Sequence, residues 1–497
     1  MLSSNASLLI QNRYAHKDKA ESSEGVLKRV AKAISIKDDK FENKLLELFS
    51  DGIFFPNSPT IRNAGRKKGL LSACFVLPIE DSIHSIFDAI RNMAVIFQRG
   101  GGCGFNFSAL RPKDAPLSSG GTSSGSTSFM NLFDRVTEIV KQGGFRRGAA
   151  MSVLNYNHPD ILDFCRSKLT RTLTNFNLSV LVTDEFMSSL ENGGVYVDLI
   201  HEGKKYGSLK SKDIFDLITL GAWVSGDPGL LFYDRINKDN RRFPEIKITA
   251  TNPCGEVPLP DWGACTLGSI NISKFVDGDN FDFARFFDVV KIGSRALLNV
   301  NLINYYPIPQ IGRVMQELSP FGVGIMGFAD TLIMLGIKYD SEDCLEFIRK
   351  LAKPYVEASD EVGGDSFYKR SIAPTGSLSI LADCSSGIEP VFDTSFERHI
   401  TVGIIKETRD IYKSEFCRTA HQVSPEWHIK IQAEFQKFVD AGVSKTVNVP
   451  YDIGVEDIRN IYLQAWKMGA KGITVFRDKS IDGVLVSTKC EDGTCTL

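Results

Sequence analysis

The chain has 497 residues, 43% hydrophobic and 24% charged, the composition of a globular protein and not of a disordered or fibrous one. Its 60 acidic and 58 basic residues leave a net charge of −2, which argues against a basic nucleic-acid surface and hence against direct DNA binding. No apolar run reaches bilayer-spanning length, the N-terminus lacks a signal peptide's basic start, and ten cysteines are too sparse for a secreted disulfide framework, so a cytoplasmic enzyme with no membrane contact is expected.

Residues 1–55 are charged and helix-favouring, with Leu46, Leu48 and Phe49 closing a helical pattern before Asp51-Gly52, which reads as a small helical cap. After Asp81-Ser82, which can cap free amides, Ile83, Ile86, Phe87, Ile90, Met93, Ala94 and Phe97 recur at helical spacing. Gly100–Gly104 resembles a dinucleotide fingerprint only superficially, because it follows a helix instead of a strand. Ser118–Ser128 is eleven consecutive Ser, Gly or Thr residues, either a linker or, with Gly143, Gly144 and Gly148 around Arg146 and Arg147, loops that let a ligand approach backbone amides. A second apolar helix face has Phe129, Leu132, Phe133, Val136, Ile139 and Val140; both helices either pack on the core or pair with a symmetry mate. Farther on, apolar runs (Leu178–Val182, Ile246–Ala250, Gly322–Gly327) alternate with helical patterns (Phe215–Trp223, Phe283–Leu298), which predicts α/β with a largely parallel sheet. Past Asp478 apolar periodicity stops, so 479–497 reads as a flexible tail.

The segment Thr251-Asn252-Pro253-Cys254-Gly255-Glu256 places an amide, a thiol and a carboxylate at alternate positions of a turn, from which they could share one pocket; the alternative is a buried structural cysteine. Cys265 follows eleven residues later, and Cys74 lies in Leu71-Ser72-Ala73-Cys74-Phe75. Cys490 and Cys495 lack a second pair or a histidine cluster, so dithiol chemistry is expected of them and no metal site. In Ala373-Pro374-Thr375-Gly376-Ser377-Leu378-Ser379, a proline, a glycine and small hydroxyl residues suit a turn into a helix that receives an anion, or a plain helix cap.

Together these motifs resemble the catalytic subunit of ribonucleotide reductases, most closely the adenosylcobalamin-dependent class II family. The resemblance runs from Asn57-Ser58-Pro59-Thr60 through Arg99-Gly100-Gly101-Gly102, Lys141-Gln142-Gly143-Gly144, Asn252–Glu256 and Met326-Gly327-Phe328-Ala329-Asp330 to Lys471-Gly472-Ile473-Thr474-Val475. It implies an α/β barrel of ten strands over 56–478, two parallel five-stranded halves set antiparallel with a finger loop at the centre, behind the helical region 1–55, which is too short for an ATP-cone. It implies that Cys254 forms the thiyl radical, Glu256 is the general base, Asn252 orients the substrate, and Cys74 and Cys265 supply the electrons and end as a disulfide. Ser58, Thr60, Ala73, Pro374, Thr375, Gly376 and Ser377 would bind a ribonucleotide, expected as the diphosphate. Asp81, Arg111, Ser118, Gly143, Gly144 and Arg146 would bind a dNTP or ATP specificity effector, within elements at about 81–150. A homodimer is implied, as is a thioredoxin- or glutaredoxin-like reductant served by Cys490 and Cys495.

The rival within the family is a class I subunit fed by a separate ferritin-like protein, which needs two adjacent tyrosines where this chain reads Ile473-Thr474-Val475-Phe476. The one adjacent pair, Tyr305-Tyr306, lies far upstream, and no Asp-x-His-x-x-Gly cobalamin signature occurs. A glycyl-radical enzyme lacks its C-terminal signature here, and a nucleotide-binding regulator without catalysis would have no use for the five catalytic-type residues.

Overall fold

The computed structural model describes residues 2–16, 20–140, 148–170, 172–400, 403–480 and 485–487. Helices α1 (Ser4–Arg13), α2 (Ser23–Ser35) and α3 (Asp39–Ser50) build the N-terminal region. Each begins at a polar cap, Ser3, Ser22 or Asp38, whose side-chain oxygen accepts a backbone N–H of the first turn. Their apolar faces, including Leu9, Ile10, Val30, Ile34, Phe41 and Leu45, merge with the main core, so this region is a packed layer of the body.

Strands β1 (Cys74–Val76), β2 (Gly102–Asn106), β3 (Ala150–Asn155), β4 (Phe176–Val182) and β5 (Gly229–Phe232) pair in parallel in that order. In the second half, β6 (Ala264–Asn271) runs parallel to β7 (Phe321–Met326), and β8 (Thr446–Val449) parallel to β9 (Gly472–Arg477). Residues 368–372 fill the remaining strand position, bridging Arg370 to Val323 of β7 and Ile372 to Val443 just before β8. The halves join antiparallel at both seams, β1 on β6 and β5 on β9. The expected barrel of two parallel halves is therefore what forms. Phe54–Pro56 adds an outer antiparallel strand on β6. Parallel strands covered by crossover helices are buried on both faces, as all six residues of β7 are.

Ala250–Thr251 pairs with Pro258–Leu259, making a hairpin whose tip carries residues 252–257 into the barrel. Both halves hold it. Asn177 on β4 donates to the Pro253 carbonyl at 2.7 Å, while the Gly442 N–H (2.8 Å) and Ser371 Oγ (3.0 Å) donate to the Glu256 carbonyl. At Gly104 on β2 a Cβ would fall inside the van der Waals envelope of the Thr251 carbonyl oxygen, so a side chain there displaces the loop.

Three expectations change. Ser126–Ser128 are no linker but the first turn of α6 (Ser126–Ile139), where Asp160 accepts both the N–H and the hydroxyl of Ser126 at 2.8 Å. The run Ile246–Ala250 gives only a two-residue strand, because the Asn237 and Asn240 side chains take the carbonyls of Ile248 (2.9 Å) and Ile246 (2.6 Å). Within the segment read as an unpatterned tail, Leu485–Ser487 forms a strand on Ser395–Ile400. No described helix is long and apolar enough to cross a membrane.

Gly104→Ala should lower stability by about 1–3 kcal/mol, the usual cost of overpacking, and move the loop. Gly312→Ala, on an outer helix where the new methyl meets nothing closer than 3.9 Å, should be neutral or slightly stabilising in the same thermal melt. Equal losses in the two variants would refute the clash.

Candidate active site

The hairpin tip is shaped locally. Asn252 Oδ1 accepts the Val257 N–H at 2.9 Å, the Asn252 carbonyl accepts the Gly255 N–H at 3.1 Å, and Gly255 turns with φ +79°, a conformation that favours glycine. This geometry leaves Cys254 exposed at the crest while Asn252 and Glu256 point inward and are buried. Asn252, Cys254 and Glu256 line one cavity of about 320 Å³, the convergence expected from their spacing.

Cys74 borders the same cavity. Its Sγ lies 3.2 Å from Asn252 Nδ2, which donates to it, and 4.0 Å from Glu256 Oε1. Cys265 sits behind it, fully buried and directly opposite Cys74 across the β1–β6 seam. Directly opposed residues of an antiparallel pair have Cα atoms ~4.5–5.5 Å apart, within the span a disulfide bridges. Both are free thiols. Burial first, then the Glu256 charge, push both thiols far above the ordinary cysteine range, so they stay protonated. Burial likewise pushes Glu256 up to about 7, and its Oε2 has no hydrogen-bond partner among the described residues. A buried carboxylate titrating near neutrality beside a cavity, with one oxygen unpartnered among the described residues, is suited to accept a ligand's proton.

Ser58, Ala73, Pro374, Thr375, Gly376 and Ser377 also line this cavity. Thr60 does not reach it. It is fully buried, and its hydroxyl lies 3.0 Å from Asn57 Oδ1 and 2.9 Å from the Leu71 carbonyl, so it pins helix α4 (Ser58–Asn63). The helix after Ser377 is only Leu378–Ala382, too short for much of a dipole, and Thr375 Oγ1 is engaged by the Gly387 N–H at 2.7 Å. Sequence reasoning did not assign Arg13, Asn57, Arg62 and Arg99 to the site, and they line the same cavity. Arg13 comes from α1, where no motif marks it, although it closes a helix that otherwise buries only apolar residues.

A second cavity of about 350 Å³ shares Pro253, Cys254 and Pro374 with the first and lies on the other side of the loop. Gly226, Gly229, Gly472 and Thr474 line it, with Leu230, Leu231, Ile473 and Val475. Gln432 lines it too, spending its Nε2 on the Val443 (3.2 Å) and Gly472 (3.0 Å) carbonyls while its buried Oε1 has no partner among the described residues. Among the described residues no group of three or more His, Cys, Asp or Glu could hold a metal ion.

Of the expected effector residues, Asp81 and Arg111 meet: the carboxylate accepts the Arg111 backbone N–H at 3.1 Å and its Nε at 2.6 Å. Ser118 is exposed on the loop nearby. Gly143, Gly144 and Arg146 lie outside the described residues, as do Cys490 and Cys495. Helix α5 (Ile83–Gln98) exposes Ile83 (59%) and Phe87 (53%), and α6 exposes Leu132 (43%) and Ile139 (70%).

The family described as ribonucleotide reductase, barrel domain, matches residues 72–359 and 402–476, and that described as ribonucleotide reductase, all-alpha domain, matches residues 1–69. The vitamin B12-dependent ribonucleoside-diphosphate reductase of Thermoplasma acidophilum is 43% identical over an alignment covering 88% of this chain; the chain spans 65% of that relative's length. The Mycobacterium tuberculosis protein of the same name is 36% identical, with 98% of this chain and 81% of the relative covered. The class Id ribonucleotide reductase alpha subunit of Actinobacillus ureae superposes with a TM-score of 0.80 over 96% of this chain and 97% of its own, at 21% identity, a likeness of fold. The barrel, its central loop and these matches together place the chain in the ribonucleotide reductase large-subunit family.

Proposed function

We propose that the chain reduces ribonucleoside diphosphates to 2′-deoxyribonucleotides by radical chemistry begun on Cys254. The observation that carries this reading is that Cys254 lines two cavities, one with Cys74, Asn252 and Glu256, the other with the glycines and apolar residues of β5 and β9 together with charged groups such as Asp227, Glu389, Lys445 and Lys471. Cys254 as a thiyl radical takes the C3′ hydrogen atom of the ribose and returns one at the end. Glu256 accepts the 3′-hydroxyl proton, and Asn252 holds the substrate through its amide. The 2′-hydroxyl leaves as water while Cys74 and Cys265 give up two electrons and two protons and become a disulfide. Their protonated state suits donors of hydrogen and not nucleophiles.

The second cavity fits part of the adenosylcobalamin that the names of the relatives imply. Its volume is that of a small-molecule site, its glycines keep the wall open, and Gln432 Oε1 offers an unused acceptor. When bound there, the cofactor would supply the radical equivalent that starts turnover, and β9 presents Thr474 and Val475 where a class I chain would need tyrosines.

Asp81 and Arg111 support a reading of the loop before α6 as the place where a dNTP or ATP effector binds, and the exposed apolar residues of α5 and α6 support a homodimer through these helices. Leu485–Ser487 lies on a hairpin (Ser395–Ile400, Gly403–Thr408) whose Arg398 donates to the Gly376 carbonyl at 3.4 Å. The dithiol of Cys490 and Cys495 follows that strand closely and would pass electrons from a thioredoxin- or glutaredoxin-like protein to the Cys74–Cys265 disulfide by thiol exchange.

With adenosylcobalamin and dithiothreitol the chain should form deoxynucleotide without a second protein, whereas dependence on a metal-containing partner would favour the class I mechanism. Cys254→Ser should abolish product while calorimetry still detects nucleotide, because an O–H bond is too strong to exchange the hydrogen atom.

Folding favours protonated Glu256, so the stability this gives is complete below the ordinary carboxylate value and is lost as pH rises through about 7. Its base form grows over the same interval, giving activity an acid limb near pH 7. Glu256→Gln should turn over slowly at every pH. Its melting temperature should gain on the wild type between about pH 5 and 8; a constant offset would contradict the shifted carboxyl.

The Cys490→Ser, Cys495→Ser double variant should lose thioredoxin-driven multiple turnover but keep one turnover from prereduced protein, with partial rescue by dithiothreitol. Unimpaired thioredoxin-driven turnover would rule the pair out as the shuttle.

A further inference from the structure

Among the described residues the ladder that sets Cys74 opposite Cys265 is only two residue pairs long, Cys74 with Cys265 and Phe75 with Ala264. One further bond, from the Val76 N–H to the Gly263 carbonyl at 3.0 Å, closes it. Pairing with β2 holds β1 to its own half of the barrel and does not fix it against β6. A slip of one residue would turn Cys74 to the other face of the sheet, away from Cys265. Beside this short seam two fully buried hydroxyls meet across the halves, Ser72 Oγ and Thr266 Oγ1, 3.2 Å apart. Two asparagines at the end of the helix Phe283–Ile303 hold them from either side. Asn304 donates from Nδ2 to Ser72 Oγ at 2.7 Å, and its Oδ1 accepts the Leu71 N–H at 2.8 Å. Asn301 Oδ1 accepts the Thr266 hydroxyl at 2.7 Å, and its Nδ2 donates to the Pro320 carbonyl at 3.0 Å. Because the one hydroxyl hydrogen of Thr266 is committed to Asn301, Ser72 must be the donor between the two hydroxyls. The bonds therefore run one way, from Asn304 to Ser72 to Thr266 to Asn301, and each hydroxyl both accepts and donates. Such a buried chain resists being pulled apart, since each break strands a donor or an acceptor away from water.

We propose that Asn304, Ser72, Thr266 and Asn301 are positioning residues that lock the register of the β1–β6 seam, keeping the Cys74 and Cys265 thiols where they can join and part. The proposal rests on the reading of these cysteines as the electron-donating pair. It goes beyond that reading by assigning the pair's redox poise to side chains that carry no electrons themselves. In the locked register every molecule presents the two thiols within the span that a disulfide bridges. In a loosened seam only the fraction in register does, and the tendency to oxidise falls by that fraction.

The test is the equilibrium of the full chain with mixtures of reduced and oxidised dithiothreitol, read by mass spectrometry as the fraction of Cys74 joined to Cys265. In that exchange the two thiols give up two protons and two electrons and form one S–S bond, while oxidised dithiothreitol takes both up as its own S–S bond opens. Thr266→Val keeps the branched shape and breaks the chain in the middle. It should lower the equilibrium constant for the disulfide about tenfold, the effect of losing one or two buried hydrogen bonds. Thr266→Ser keeps the hydroxyl and should stay within about threefold of wild type. Asn304→Ala should act like Thr266→Val, and it serves as a second arm if that variant folds poorly. Asn299→Ala controls for mere loss of stability, because it removes a bond made by the same helix toward α2 and not the seam, Nδ2 to the Ile34 carbonyl at 2.9 Å. That variant should leave the equilibrium unchanged. A wild-type equilibrium constant in folded Thr266→Val or Asn304→Ala, or an equal loss in Asn299→Ala, would overturn the register lock while leaving the redox pair in place. Absence of any Cys74–Cys265 disulfide in oxidised wild type would instead overturn the reading of the two cysteines as the electron donors.

Discussion

The site depends on one constraint: a hairpin tip must stay inside a barrel whose two halves approach it from opposite sides. The carbonyls of Pro253 and Glu256 are each held, one from β4 through Asn177, the other from Ser371 and Gly442 in the opposite half. Those bonds fix the backbone on both sides of Cys254, so the barrel sets where the loop sits while the loop's own turn presents the thiol at its crest. The close approach requires bare backbone on the wall, which is why a glycine faces the Thr251 carbonyl from β2.

Burial then sets the electrostatics. Because solvent is excluded around Cys74, Cys265 and Glu256, each is driven toward its neutral, protonated form, and the same exclusion makes a bare Glu256 oxygen chemically valuable. Arg13, Arg62 and Arg99 line the same cavity, so it holds positive charge beside these neutral proton-holding groups.

The meeting of amide, thiol and carboxylate in Asn252–Glu256 was legible because a Pro- and Gly-containing turn keeps residues so close in sequence around one cavity, although the turn leaves Cys254 at its crest and not in alternating register. The helices on either side of Ser118–Ser128 were legible from their apolar faces. Other features were hidden for identifiable reasons. Arg13 is one basic residue among many until α1 is packed against the turn after Pro374, and Thr60 looks like its neighbour Ser58 until burial shows which hydroxyl faces the cavity. The strand position filled by 368–372 is held by isolated bridges to partners far along the chain, which no local pattern records. Ile246–Ala250 misleads in the opposite direction, since its apolar residues are genuine but its carbonyls are taken by asparagine side chains.

The register that sets Cys74 opposite Cys265 has a mechanical side. These residues lie on the seam that joins the two halves, so oxidation there would staple one half of the barrel to the other across a very long chain loop. In the chain-entropy view, closing a loop of ~100 residues or more costs the unfolded state about 4–5 kcal/mol of freedom. The electron cycle would therefore also be a cycle of resistance to unfolding, in which the spent form is the tougher one and reduction both rearms the barrel and loosens it.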